Sequence, residues 1–161
     1  TQLEHLLATP NLAVIELPVP ALLEAGRRPR VLAEAIAAMS IFFYDWGYTV
    51  FYTSRALVTA ADAARSLAIG ASVSAALIAV VEGLAATPRY LIAKGGITSS
   101  DVATRALRVR RALVLGQAIP GVPVWQLGPE TRFPGLGYVV FPGNVGSEHA
   151  LADLVQRLRA A

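Results

Sequence analysis

The feature that most limits what this chain can fold into is an alternation of strand-like and helix-like segments running nearly end to end. Short runs rich in branched and aromatic side chains stand at residues 12–17, 48–53, 90–93, 111–116 and 138–141. Between them, residues 31–46, 60–86 and 98–107 carry apolar side chains at helical spacing, and residues 147–158 close the chain the same way. Such an order predicts an α/β fold, a layered α/β/α domain with a largely parallel sheet. Residues 116–137 interrupt the alternation with a loop rich in Pro and Gly, within which residues 122–127 read as a further short strand. The strands flanking this loop are open to antiparallel pairing. With 161 residues, the chain suits one domain around one core.

Composition removes several alternatives. There is no cysteine, which excludes disulfides, thiol nucleophiles and thiolate metal sites. The two histidines, His5 and His149, stand at opposite ends of the chain without HExxH-type spacing. A structural zinc site is therefore not expected, and each reads as a surface histidine on a helix. The longest uncharged apolar stretch, residues 66–81, is broken by Gly70, Ser72 and Ser74 and closed by Glu82. It falls short of the ~20 residues of a membrane span and reads as a buried core helix. Thirteen of the fourteen basic residues are Arg, and Lys94 is the only lysine. Their two small clusters, Arg27, Arg28, Arg30 and Arg105, Arg108, Arg110, Arg111, are solvated faces rather than the dense stripe of a nucleic-acid surface.

In open α/β sheets ligands sit beyond the carboxyl ends of the strands. Three strand-to-helix turns have the composition for that: Thr53-Ser54-Arg55, Gly95-Gly96-Ile97-Thr98-Ser99 and Gly143-Asn144-Val145-Gly146-Ser147. In the last two, glycines let backbone N–H groups approach an anion, and the helix that follows points its positive end at it. Thr98, Ser99 and Ser147 add hydroxyl donors, and Arg55 or Lys94 could neutralise phosphate charge. The same residues also serve ordinary turns and caps: Thr59-Ala60-Ala61-Asp62 and Thr98-Ser99-Ser100-Asp101 read as box-like helix starts. Neither GxxxxGK[ST], GxGxxG nor GxSxG occurs, which excludes a P-loop and disfavours a standard dinucleotide fold or a hydrolase elbow.

Taken together, the GG-x-T turn at residues 95–98, the G-x-x-x-PGVP stretch at 116–123, the G-N-x-G turn at 143–146 and the YTSR segment at 52–55 resemble one family. They are similar to the nucleotide-binding domain of the four-carbon acid sugar kinases, over nearly the whole chain. The resemblance implies that residues 1–161 are a nucleotide-binding domain, the C-terminal half of a longer two-domain, cytoplasmic kinase. Such a kinase phosphorylates threonate, erythronate or their 3-oxo forms with ATP and Mg. It maps nucleotide contacts onto Ser54, Gly95, Gly96, Ile97, Thr98 and Gly143, with Asn144 and Gly146 completing the last turn. Two positions depart from the commonest pattern: Phe141-Pro142 stands where Lys-Ser is usual, and Ile97 where an acidic or polar residue is. The acidic substrate-binding motif of the family lies in its separate N-terminal domain, and nothing like it occurs here. Asp101 and Glu148 read as helix-start residues and Asp45 as a helix end, so no catalytic residue is assigned, and the partner is the N-terminal sugar-acid-binding domain of the same polypeptide. The metal ligands stay unassigned. The alternative is a non-catalytic nucleotide- or anion-binding regulatory module built on the same turns; a third reading is a scaffold domain.

Overall fold

The computed structural model describes residues 1–45, 48–55 and 63–160. The expected box at residues 59–62 and the helix end at Trp46-Gly47 lie outside them. The chain forms an α/β fold with one parallel and one mixed sheet. No described helix is long and apolar enough to cross a membrane.

Two compact units divide the chain, residues 11–85 and residues 1–10 with 86–161. In the first, β1 (Ala13–Leu17) pairs in parallel with β2 (Thr49–Thr53). Along β1, Ala13, Ile15 and Leu17 are buried while Val14 and Glu16 face outward, the period-two pattern of a strand covered on one side. Tyr52 donates its hydroxyl to its register partner Glu16 at 3.2 Å. The strand stops at Pro18, and a short helix the sequence pattern does not announce follows, α2 (Val19–Leu23). Pro20 lies in its first turn, where a missing N–H costs nothing. α3 (Arg28–Asp45) connects β1 to β2, as a parallel pair requires, and α4 (Ala63–Glu82) follows. Arg28 ties α3 to α4, donating to the Ser72 hydroxyl at 2.6 Å and the Ser72 carbonyl at 3.2 Å.

The second unit holds a four-stranded sheet in the order β3-β6-β5-β4, from β3 (Tyr90–Lys94), β4 (Ala112–Ile119), β5 (Val122–Leu127) and β6 (Gly137–Phe141). β3 and β6 run parallel, whereas β6–β5 and β5–β4 are antiparallel, so the strands around the Pro/Gly loop do reverse direction. β4 is an edge strand, and Leu113, Val114 and Leu115 on it are exposed. α5 (Gly96–Asp101) runs on into a π-helical turn over Val102–Ala106, in which the Leu107 N–H reaches back to Val102 at 3.0 Å. α1 (Gln2–Leu7) packs beside α6 (Ala150–Ala160). The core gathers Leu107, Val122, Tyr138, Val139, Phe141 and Leu154, all under 3% exposed. Burying these six apolar side chains supplies roughly 1.5–3 kcal/mol each before the cost of ordering the chain.

Three expectations need correction. The strands fall into two sheets, so Ser54 follows a strand of one sheet and both glycine turns belong to the other. Alternating apolar patterns identify strands but not which strands pair. Secondly, α5 begins at Gly96 rather than after Thr98, because its N-cap is Gly95. Asp101 therefore ends this helix instead of opening one, and pairs loosely with Arg105 at 3.9 Å. Finally, α6 begins at Ala150, three residues after Ser147.

Candidate functional site

Parallel pairing of β3 with β6 decides the geometry. Lys94 stands opposite Phe141 in register, so both chains leave the sheet at the same edge and turn side by side. The Gly95 N–H donates to the Phe141 carbonyl at 2.8 Å, which ties the two turns together at their base. Gly95 has a φ of +103°, a region that a Cβ disfavours, and this swings the chain directly from strand into helix. Its carbonyl accepts from Ser99 N–H at 2.8 Å, closing the first turn of α5. The N–H groups at the start of such a helix have no partner within it and face the sheet edge.

Around this edge the sequence-assigned residues take different parts. A side chain built at Gly96 or at Gly143 would meet no atom within 4 Å, and both glycines are exposed. Ile97 is 79% exposed, Asn144 is exposed and Thr98 is half-buried. Ser99, expected to offer its hydroxyl to a ligand, is 2% exposed and committed. Its Oγ donates to the Ala93 carbonyl at 2.7 Å, and its own carbonyl accepts from Tyr138 at 2.7 Å. Burial pushes the Tyr138 phenol well above the usual tyrosine range.

Gly146 has a structural reason to be glycine. Its φ is +81°, and a Cβ there would lie 2.5 Å from the Cβ of Ala150. The loop around it is held by Gln2 of α1, whose side-chain amide donates to the carbonyls of Val145 at 2.9 Å and Ser147 at 2.8 Å. Val145 in turn packs on Gly121, in the turn joining β4 to β5, so the PGVP stretch buttresses this loop. With α6 starting only at Ala150, the last turn does not sit on a helix N-terminus, and the dipole argument applies to α5 alone.

Lys94 turns its ammonium back over the sheet end, donating to the carbonyls of Pro142 at 3.3 Å and Gly143 at 3.2 Å. It also lies 4.7 Å from the Phe141 ring centre. Burial holds its pKa below the ordinary lysine range. An ammonium has three donors, so this arrangement braces the last turn and leaves one donor for an anion.

Sequence reasoning missed a cleft of about 420 Å³ next to Gly96. Ser100, Thr104, Arg110, Arg111 and Trp125 are among its walls. In sequence both arginines belong to what reads as a solvated cluster. Only the fold brings them, from the chain after the π turn, beside a tryptophan of β5. Arg110 and Arg111 precede β4 at the end of the sheet away from the glycine turns, so the cleft runs from Gly96 past Trp125 to them. An indole and two guanidinium groups in one cleft can stack a planar base and pair with phosphate oxygens.

Ser54 belongs to the other unit, and its hydroxyl is occupied there. Its Oγ accepts from the Val19 N–H at 2.9 Å and so caps α2, and its own N–H donates to Leu17 at 2.8 Å. Arg55 is exposed.

A family model described as the nucleotide-binding C-terminal domain matches residues 1–151. Among solved structures, a Bordetella bronchiseptica protein assigned to the domain family DUF1537, with bound citrate as a domain-swapped dimer, superposes with a TM-score of 0.73 at 19% identity. The match covers 98% of this chain and 37% of that one. A Haemophilus influenzae protein of the same DUF1537 family gives a TM-score of 0.67 at 18% identity, over 96% of this chain and 36% of its own. At these identities the likeness shows the fold, and the chain spans little more than a third of the length of those it matches. No curated protein matches the chain.

Proposed function

Because the chain belongs to the family of nucleotide-binding C-terminal domains, we propose that it binds ATP where β3 and β6 end and serves as the nucleotide domain of a four-carbon acid sugar kinase. One observation carries the reading. The parallel β3–β6 pair sets two glycine turns side by side, with room over Gly96 and Gly143 that a Cβ would occupy. In this reading the first N–H groups of α5 and the Thr98 hydroxyl receive phosphate oxygens, Asn144 adds an amide donor, and Ile97 covers an apolar part of the ligand. Trp125, Arg110 and Arg111 line the adjoining cleft, which suits a base and its sugar-phosphate.

Bound ATP would supply the transferable phosphoryl group. Neither turn contains a carboxylate between Lys94 and Ser100 or between Phe141 and Ser147. A magnesium ion accompanying the nucleotide would then be held mainly by phosphates and water, the usual habit of that ion. The turns supply no carboxylate of their own as an acceptor base, so in this reading the sugar acid and its activation fall to a further domain, with threonate or erythronate as the substrate class.

The test is nucleotide titration by calorimetry against Gly96→Val. The new side chain enters open space at the first helical position and leaves the fold intact. ATP and ADP affinity should fall at least about tenfold, some 1.4 kcal/mol. The 161-residue chain should bind nucleotide without phosphorylating threonate or erythronate. A folded Gly96→Val variant with undiminished affinity would place the site elsewhere, and robust turnover by the chain alone would refute the division of labour. A regulatory module would bind nucleotide but stay inactive even when joined to a sugar-acid domain.

A further inference from the structure

The two histidines that the sequence places at opposite ends of the chain come together in the fold. Packing of α1 beside α6 sets the His5 and His149 rings 4.0 Å apart between centroids, tilted by 51°. Glu148 lies at both, its Oε2 3.5 Å from His5 Nε2 and its Oε1 3.6 Å from His149 Nε2. All three donor atoms lie within 4.8 Å of one another. Neither imidazole–carboxylate distance is a hydrogen-bond length, which for these groups is ~2.7–3.2 Å. The three groups are close enough for each to offer one ligand atom to the same ion.

We propose that His5, Glu148 and His149 form a binding site for a divalent transition-metal ion, zinc foremost. Zinc–nitrogen and zinc–oxygen bonds of ~2.0–2.2 Å around a tetrahedron give ligand–ligand edges of roughly 3.3–3.5 Å. Each histidine already has a Glu148 oxygen at about that length, Oε2 for His5 and Oε1 for His149. Bringing one oxygen and both nitrogens onto a single ion takes rotation of these side chains, of which Glu148 and His149 are more than half exposed and His5 is 33% exposed. Two imidazoles and a carboxylate are a zinc-type donor set, and imidazole nitrogen favours zinc, nickel or copper over magnesium and calcium. This site is thus chemically distinct from one that takes a magnesium nucleotide.

Its position gives it a consequence. Glu148 and His149 follow the loop that carries Gly143–Gly146, and α1 already holds that loop through Gln2. A metal bound by His5 and His149 fastens α1 to the same loop by a second, stronger tie.

The experiment uses the untagged 161-residue chain, stripped of metal by chelator. Cobalt(II) is titrated first, read by its visible ligand-field absorption, and then displaced with zinc; magnesium is the control. One equivalent of cobalt should bind with a saturable visible band that zinc abolishes and magnesium does not. Zinc should also raise the melting temperature and slow amide exchange across residues 143–149. His5→Ala, His149→Ala and Glu148→Gln, checked for unchanged circular dichroism, should each weaken binding at least about tenfold. Absence of saturable micromolar binding overturns the proposal, and so does binding that survives both histidine substitutions.

Discussion

Gly96 and Gly146 are both glycines of the candidate site, yet opposite effects on stability are expected when each becomes alanine. At Gly146 the backbone sits at φ +81°, where an L side chain costs ~1–2 kcal/mol. The added Cβ would also lie 2.5 Å from the Ala150 Cβ, against a comfortable carbon–carbon separation of ~3.5–4.0 Å. The loop must shift by about an ångström where α6 begins and where Gln2 bridges the Val145 and Ser147 carbonyls. Overpacking of that kind adds ~1 kcal/mol or more. A total of about 2–3 kcal/mol corresponds to a fall of roughly 4–12 °C in melting temperature for a chain of this size. At Gly96 the φ is not in the left-handed region, no atom lies within 4 Å of the new Cβ, and the residue is helical. Replacing glycine there removes unfolded-state freedom and stabilises by up to ~1 kcal/mol, a rise of a few degrees. Both variants are melted without nucleotide, followed by circular dichroism, and then titrated with ADP. Gly146→Ala should lose stability, whereas Gly96→Ala should keep stability and lose affinity. Two shifts of the same sign, or a neutral Gly146→Ala, would refute the division of these glycines into one that shapes the backbone and one that faces the ligand.

Two further outcomes are expected. Ser54→Ala removes the cap on the Val19 N–H and should cost ~1 kcal/mol of stability, while Thr98→Ala, which caps nothing because Gly95 is the N-cap, should leave stability within ~0.5 kcal/mol and weaken nucleotide binding by roughly 0.5–3 kcal/mol; calorimetry and thermal melts of both variants that show the reverse pattern would remove Thr98 from the site. Tyr138 is buried with its phenol pKa raised above its ordinary 10.0, so below pH 10.0 both folded and unfolded chains keep the proton, and above it only the unfolded chain ionises. Its contribution to stability is therefore complete below pH 10.0 and declines as pH climbs, by up to ~1.4 kcal/mol per unit. Tyr138→Phe should cost ~0.5–1.5 kcal/mol at neutral pH, because the buried Ser99 carbonyl loses the phenol and keeps only the Val102 N–H as donor, and should flatten that alkaline decline. Urea melts of the two proteins from neutral to alkaline pH would expose an error if the slopes match.

Much of the architecture is local and was legible from the residues alone. β-branched and aromatic runs placed the strands, helical spacing placed α3, α4 and α6, and Pro and Gly marked the loop around which the late strands reverse. These signals depend on neighbours within a few positions, which is why they survive without knowledge of the fold. Both glycine turns were likewise visible as turns. Tertiary structure alone decided what the turns face and who shares them. Insertion of β6 between β3 and β5 is a pairing between distant segments, and no local pattern encodes it. From that pairing follow the shared edge of the two turns, the sequestering of Ser99 beneath Tyr138, and the cleft where Arg110, Arg111 and Trp125 meet. Helix boundaries moved for a related reason. Thr98 and Ser147 look like caps in sequence, but a cap is set by where the backbone leaves the sheet, and Gly95 and the Gln2-held loop set that point. The meeting of His5 with Glu148 and His149 is the extreme case. Their residue types were plain from the start, and only the packing of the first helix beside the last made them neighbours.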